Sequence, residues 1–200
     1  YSLYLSKSLK YILFFSIPIC VLIFGLAEKI IMIMAGEDCV GAIIPMKILS
    51  LLLPIIGLAY YLAFMVMYPQ GKEKLYTVLV FVSAIISVIL NIIFIPMYYE
   101  LATSVVSVIV ELLAVVLMVF FLRKQLVNYG FFSPKNLNYI IGGFFIYLIT
   151  YCLSFIELNN FYSIILITAI SLFVYLLFLK LVKDTLLNEI IIKFKKIYEK

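Results

Sequence analysis

Six stretches of the sequence are continuously apolar over lengths that match the hydrocarbon core of a bilayer, which an α-helix crosses in about 20 residues. The runs lack the apolar–polar alternation of lipid-facing β-strands, so helices are predicted. Because 67% of the residues are hydrophobic and 12% are charged, a soluble domain could not cover its surface with polar side chains. The sequence therefore predicts an all-α, polytopic membrane helix bundle with six transmembrane helices, at 11–35, 42–68, 76–97, 101–122, 137–156 and 162–181.

Basic residues lie almost entirely on one side of these predicted helices. All but two of the 15 Lys and Arg residues precede the first helix, occupy the loops after the second and fourth, or lie at or beyond the end of the sixth. The opposite loops carry only acidic charges, at Glu37, Asp38, Glu100 and Glu157. Because loops rich in Lys and Arg stay in the cytoplasm, we expect a cell-membrane protein with both ends of this chain cytoplasmic.

Residues 184–200 are predicted to form a tail that follows a membrane bundle over 1–183. Apolar residues recur in this tail at helical spacing among lysines: Leu187, Ile190, Ile191, Phe194 and Ile197. Asp184 is placed to cap such a helix at its start. One interpretation is an amphipathic helix on the anionic inner surface of the membrane. The other is a solvated basic tail.

The residue types that most enzymes need are missing or scattered. The chain has no histidine, which excludes imidazole metal ligands and histidine-dependent catalytic triads within it. Cys20, Cys39 and Cys152 fit no metal-binding spacing, and no glycine-rich phosphate loop is present. We therefore expect no enzymatic activity, no cofactor, no metal and no nucleic-acid partner. Since the sequence starts at Tyr1 without a signal sequence, it is expected to be a piece of a longer chain.

Glu111 lies near the middle of the fourth predicted helix. A charge at this depth costs about 2.5–3.5 kcal/mol on insertion scales, so Glu111 is predicted to face the bundle interior. Four-residue spacing places it on one helix face with Thr103 and Ser107. Because the connection between the third and fourth helices is short, they are predicted to form an antiparallel hairpin. The third helix carries a matching polar stripe that would face the first: Ser83, Ser87 and Asn91.

Three interpretations of Glu111 are open. It is protonated or hydrogen-bonded to the opposite stripe and ties the hairpin, it lines a water-filled cavity and couples transport to Na+ or H+, or it balances a lysine elsewhere in a larger bundle. Lys47, flanked by Pro45 and Pro54 that kink the second helix, either extends to the outer interface or contacts an anionic substrate. The candidate substrate-binding or coupling residues are Lys47, Asn91, Ser107 and Glu111.

An ordered set of motifs between the first and fourth helices resembles a known family. The motifs are "AGEDCVGAI", "MKILSLLLP", "PQGKEK" and "LNIIFIPMYYELATSVVSVIVEL". This set resembles the C-terminal half of bacterial polysaccharide flippases, the Wzx-type O-antigen and capsule exporters of the multidrug/oligosaccharidyl-lipid/polysaccharide superfamily. The positions that fall on the family pattern are Asn91, Ile95, Pro96, Tyr98, Ser107 and Glu111. Tyr99 and Ala102 stand where the family usually has glycine, so the resemblance implies a looser turn and a less close approach of the helices here.

The resemblance implies the C-terminal part of a larger transporter with about fourteen spans in two bundles and two extra helices. Such a flippase moves undecaprenyl-pyrophosphate-linked oligosaccharide units across the cytoplasmic membrane by alternating access, for surface polysaccharide biosynthesis. Its partners would be the lipid-linked oligosaccharide, membrane lipids, Na+ or H+, and the missing N-terminal half of the same chain. The alternatives are a cation-coupled multidrug exporter of the same superfamily and a non-transporting membrane scaffold.

Overall fold

The computed structural model describes residues 1–155 and 159–198, with the backbone alone for 193–198. Within these ranges the chain is helical and has no strand. Three short 3-10 helices, Glu37–Ala42, Tyr68–Gln70 and Pro134–Asn136, and a π-helix, Tyr61–Met67, join the α-helices. The α-helices are α1 (Ser2–Met34), α2 (Ile43–Ser50), α3 (Leu52–Tyr60), α4 (Glu73–Asn128), α5 (Leu137–Ser154), α6 (Asn160–Leu181) and α7 (Thr185–Tyr198). The predicted all-α class is confirmed.

Among the described residues, five helical segments are long and apolar enough to cross a membrane: Ser2–Met34, Glu37–Gln70, Glu73–Asn128, Pro134–Ser154 and Asn160–Leu181. The third segment is α4, whose 56 residues would extend about 84 Å if straight, far beyond a hydrocarbon core of about 30 Å. It reverses direction near its middle instead, so the bundle contains six legs of membrane length. The chain is a multi-pass membrane protein.

Tyr99 is the residue at which α4 folds back. Its φ of 49° and ψ of −126° interrupt the helix in a region of backbone space that favours glycine. At the open end of the hairpin, Lys72 Nζ donates a hydrogen bond to Gln125 Oε1 over 2.9 Å. The sequence predicted a looser turn and a less close helix approach, and a cavity of about 570 Å³ beside the turn, lined by both legs of α4, agrees with the less close approach. The chain reverses at one strained residue, and Ala102 beside it is buried.

The second membrane segment is divided because of a proline. Pro54 has no N–H to donate to the carbonyl of Ser50, and α2 ends at Ser50 while α3 begins at Leu52. Below α3 the backbone widens into the π-helix Tyr61–Met67, most of whose side chains are buried. The span predicted at 42–68 is therefore a broken helix with three different helical geometries.

Pro18 creates a similar gap in the hydrogen bonding of α1. Its missing N–H leaves the carbonyl of Phe14 without its usual partner one turn later. Tyr175 of α6 donates its hydroxyl to that carbonyl over 3.1 Å. The Tyr175 ring also lies directly against Gly142 of α5, where a Cβ atom would come within 2.7 Å of the ring. One buried tyrosine thus joins α1, α5 and α6 at one level.

The start of α7 is fastened to the same group of helices by Asp184. Its Oδ1 accepts hydrogen bonds from the backbone N–H groups of Leu186 and Leu187 at 2.9 and 3.1 Å, so it caps α7 as the sequence predicted. Its Oδ2 accepts from the Tyr139 hydroxyl of α5 at 3.0 Å. Leu186 and Leu187 are buried. The first turns of α7 are therefore docked on the bundle, while contact of this helix with a membrane surface stays a prediction.

Helix α1 lies between two groups of packed side chains. Its Leu5 and Leu9 join a core with the π-helix and both legs of α4. Its Phe14, Leu22 and Leu26 join a second core with α5, α6 and α7. We call the first group the hairpin side and the second the α5–α6 side.

Residues 156, 157 and 200, which belong to predicted span or loop ends, lie outside the described ranges.

Candidate functional site

A cavity of about 380 Å³ lies on the hairpin side, between α3 and both legs of α4. Most of its wall is aliphatic, as expected inside a membrane bundle. Its lining residues with polar atoms in their side chains are Tyr60, Tyr76, Ser83, Ser87 and Glu111. The cavity brings together the only carboxylate predicted at mid-span in the hairpin and hydroxyls from the opposite leg.

Glu111 is half-buried in the wall of this cavity. Within the described ranges its carboxylate makes no hydrogen bond and no ion pair, although it interacts electrostatically with Tyr76. The sequence-based interpretation that Glu111 is hydrogen-bonded to the opposite polar stripe is therefore not what the structure shows. A partly buried carboxylate without a partner is costly inside a membrane bundle, so helix packing alone does not explain Glu111.

Ser83 faces the same cavity from the first leg of α4. Its side chain is buried, and its hydroxyl has no hydrogen-bond partner among the described residues. Buried hydroxyls are usually paired with protein or ordered water, so an unpaired one at a cavity wall marks a place where a ligand or water can bind. A ligand in the cavity would therefore meet a hydrogen-bond donor, the Ser83 hydroxyl, on one leg and an acceptor, the Glu111 carboxylate, on the other.

Asn91 does not reach this cavity. Its Nδ2 donates to the backbone carbonyl and the hydroxyl of Ser87 at 2.9 and 3.3 Å, while its Oδ1 is buried without a partner in the described part of the chain. It lines a shallow groove of about 380 Å³ on the outer part of the same leg, beside Pro96. The hairpin therefore separates two predicted site residues, Asn91 and Glu111.

Ser107 is also separate from Glu111. Its hydroxyl donates to the carbonyl of Thr103 over 2.8 Å, which satisfies it within its own helix. The predicted facing of two complete stripes is therefore wrong, and only Glu111, Ser83 and Ser87 meet. The reason is geometric, because each four-residue step on a helix of 3.6 residues per turn rotates the side chain by about 40°. Across two steps the ends of a stripe face different neighbours.

Lys47 lies on α2, half-buried and away from the lining of this cavity. Its side chain has no hydrogen bond or ion pair within the described residues, and only its backbone carbonyl is bonded, by the Ser50 hydroxyl at 2.7 Å. The structure thus does not pair Lys47 with Glu111. A role for Lys47 toward an anionic substrate stays a prediction.

Two tyrosines of the cavity were not among the sequence-predicted site residues. Tyr60 stacks on Phe64 with ring centroids 5.6 Å apart, and Tyr76 meets Tyr68 at 5.6 Å. Together these rings close one end of the cavity beside the π-helix. The four-residue spacing of Tyr60, Phe64 and Tyr68 is the sequence signal that could have found this cluster.

The helix beside the cavity has one feature that suits a change of shape. This helix passes from α into π geometry directly after Tyr60, and such irregular turns often occur at functional sites.

The chain is an all-α, multi-pass membrane protein with a half-buried carboxylate in a cavity between its helices. No family model, no curated protein and no solved structure matches the chain.

Proposed function

We propose that this chain is part of a membrane flippase that translocates undecaprenyl-pyrophosphate-linked oligosaccharide units for surface polysaccharide biosynthesis. The observation that supports the proposal most is the unpaired carboxylate of Glu111 in a cavity inside the α4 hairpin. A scaffold needs no such group, since an apolar residue would pack there at no electrostatic cost. The resemblance of the motifs around Glu111 to polysaccharide flippases supplies the substrate class.

In this proposal Glu111 is the coupling group and takes a proton or Na+. A charged carboxylate in the cavity attracts water or a cation, and a neutral one lets α3 and the hairpin legs pack together. Binding and release of the ion would therefore bias the helices between two arrangements. The breaks at Pro54 and at the π-helix next to the cavity are the places where α2 and α3 can bend.

The substrate itself would bind elsewhere. A cavity of about 380 Å³ is at the small end for a drug-sized ligand and too small for an oligosaccharide on a pyrophosphate. Lys47, on a different face, is the candidate for an anionic pyrophosphate group. This division assigns the ion and the substrate to separate parts of the bundle.

A cation-coupled multidrug exporter is the second candidate, and the cavity lining favours it in one respect. Glu111 lies with Tyr60 and Tyr76, and among the residues that the structure describes no Lys or Arg lines the cavity. A carboxylate beside aromatic rings suits an organic cation, because the ring faces attract positive charge. Protection of cells against cationic dyes, lost in Glu111→Gln, would support this candidate over the flippase.

The test is Glu111→Gln in cells where this protein is the sole copy, with Glu100→Gln at the hairpin turn as a matched control. We expect surface polysaccharide to fall strongly in Glu111→Gln at unchanged abundance in the membrane, and to stay normal in the control. Normal polysaccharide at normal abundance in Glu111→Gln would reject the coupling role. Equal loss of polysaccharide and protein would assign Glu111 to helix packing.

Water access to the cavity is tested separately by labelling cysteines introduced at 107, 111 and 147 after removal of the native cysteines. The transporter proposals require a membrane-impermeant thiol reagent to modify position 111. Position 107, whose side chain lies outside the cavity lining, serves as the comparison. Protection of position 111 to the same extent as position 107 would favour the scaffold.

A further inference from the structure

A second polar cavity, of about 230 Å³, lies where α7 docks against the first turns of α1. The apolar run of α1 begins at Tyr11, so this cavity is at the boundary between the hydrocarbon core and the headgroup region. Basic, acidic, hydroxyl and apolar side chains share its lining. The lining residues are Leu3, Ser6, Lys7, Lys10, Tyr11, Thr185, Leu186 and Glu189.

The charges of this cavity do not cancel. Lys7 forms an ion pair with Glu189, with its Nζ 2.8 and 2.9 Å from the two carboxylate oxygens. Lys10 donates instead to the neutral hydroxyl of Thr185 over 2.8 Å and has no ion pair within the described residues. The nearby carboxylate of Asp184 already accepts three hydrogen bonds and is not part of the lining. The ammonium of Lys10, whose bond to Thr185 is open to solvent, is therefore the uncompensated charge of the cavity among the described residues.

One hydroxyl, that of Thr185, is bonded to this charge. Thr185 accepts from Lys10, so its own O–H can donate to another group. Two more residues that carry hydroxyls, Ser6 and Tyr11, belong to the lining. An ammonium with several hydroxyl donors recognises an anion with several oxygen acceptors, and a phosphate has this chemistry.

The apolar part of the lining indicates which kind of molecule would bear such a phosphate. Leu3 and Leu186 border the cavity, and Lys10 precedes the membrane-spanning part of α1. We infer that this cavity binds the phosphate of an anionic membrane lipid, with Lys10 and the Thr185 hydroxyl as its principal contacts. A lipid bound here would bridge α1 and α7 and would hold the docked helix in place. This inference does not depend on the proposed transport function.

The inference is tested by thermal unfolding of the purified full chain in detergent, with phosphatidylglycerol, phosphatidylcholine or inorganic phosphate added. We expect phosphatidylglycerol to raise the melting temperature and phosphatidylcholine to leave it unchanged. Lys10→Met should weaken the phosphatidylglycerol effect about tenfold in the concentration required, because a charge-assisted contact is lost. Lys74→Met is the matched control, since Lys74 is exposed and outside the cavity, and it should respond like the wild type.

Lys10→Arg keeps the positive charge and should retain the effect, while Thr185→Val should weaken it and serves as the second variant if Lys10→Met does not fold. Equal responses of Lys10→Met and Lys74→Met to phosphatidylglycerol would overturn the inference. Inorganic phosphate that acts as strongly as phosphatidylglycerol would overturn the lipid as the source of the phosphate while supporting the phosphate site. A rise in melting temperature with phosphatidylcholine as large as that with phosphatidylglycerol would overturn the whole inference.

Discussion

The α5–α6 side and the hairpin side of this bundle differ in the pairing of most of their buried polar groups, although the buried hydroxyl of Ser171 on α6 also has no partner among the described residues. On the α5–α6 side, the Tyr175 hydroxyl, the Tyr139 hydroxyl and the Asp184 carboxylate all have partners at 2.9–3.1 Å. On the hairpin side, the Ser83 hydroxyl and the Glu111 carboxylate have none among the described residues. Both sides lie in the same membrane-embedded bundle, so the difference is not one of environment alone.

The paired groups hold the helices together, whereas the unpaired groups are available for binding. A paired polar group within a bundle fixes the relative position of two helices, because breaking it leaves a buried donor or acceptor without a partner. An unpaired one has no such structural use and is available to a ligand, water or a proton. We therefore expect substitutions on the α5–α6 side to lower stability, and those on the hairpin side to change function with little effect on stability.

Asp184→Ala should have the largest effect on stability. It removes the cap of α7 and leaves the buried Tyr139 hydroxyl without an acceptor, for a loss of about 2–4 kcal/mol in the free energy of unfolding. Unfolding in mixed micelles measures this loss, with Asp38→Ala at an exposed position of the 3-10 helix Glu37–Ala42 as the control. A loss no larger than that of the control would mean that α7 is not held by this carboxylate.

Tyr175→Phe should have an intermediate effect. It removes the donor to the Phe14 carbonyl, and an unpaired buried acceptor costs about 1–3 kcal/mol. Pro18→Ala restores the N–H that this carbonyl would use within α1, so the double variant should lose less than the sum of the two single variants. Strictly additive losses would contradict the role assigned to Tyr175, and the same unfolding assay decides between these outcomes.

Ser83→Ala should have the smallest effect on stability, within about 0.5 kcal/mol of the wild type, because the hydroxyl it removes has no partner. Thr150→Val on α5 is the contrasting variant, since its buried hydroxyl donates to the carbonyl of Ile146 over 2.7 Å. A loss above about 1 kcal/mol in Ser83→Ala would show that Ser83 has a structural partner and would weaken the comparison.

Much of the fold could be predicted from the sequence because membrane insertion depends on local composition. The length of an apolar run, the position of lysines and the cap at Asp184 are local properties, and each is readable without knowledge of neighbouring helices. The turn at Tyr99 could not be predicted in this way. Its backbone conformation is disfavoured for a tyrosine, so no local propensity indicates that the chain reverses there.

The candidate site was predictable only in part. Glu111 is conspicuous in an apolar helix, and the energetic cost of exposing a charge to lipid is enough to predict that it faces inward. Which residues it meets depends on the rotation and offset of two helices, and this dependence left Ser107 and Asn91 outside its cavity. Tyr60 and Tyr76 enter the cavity because α3 packs across the hairpin; the four-residue spacing of the aromatic residues marks the cluster but does not show which helix it meets.

The apolar runs and the carboxylate at mid-helix are enough to predict a multi-pass helical membrane protein with a carboxylate directed into its bundle. The physical reason is that hydrocarbon requires continuous apolar helices and rejects a lipid-facing charge. The tertiary structure alone decided which polar groups are paired. Pairing requires two atoms within about 3 Å of each other, and in Tyr175 and Phe14 these atoms are 161 positions apart in the chain.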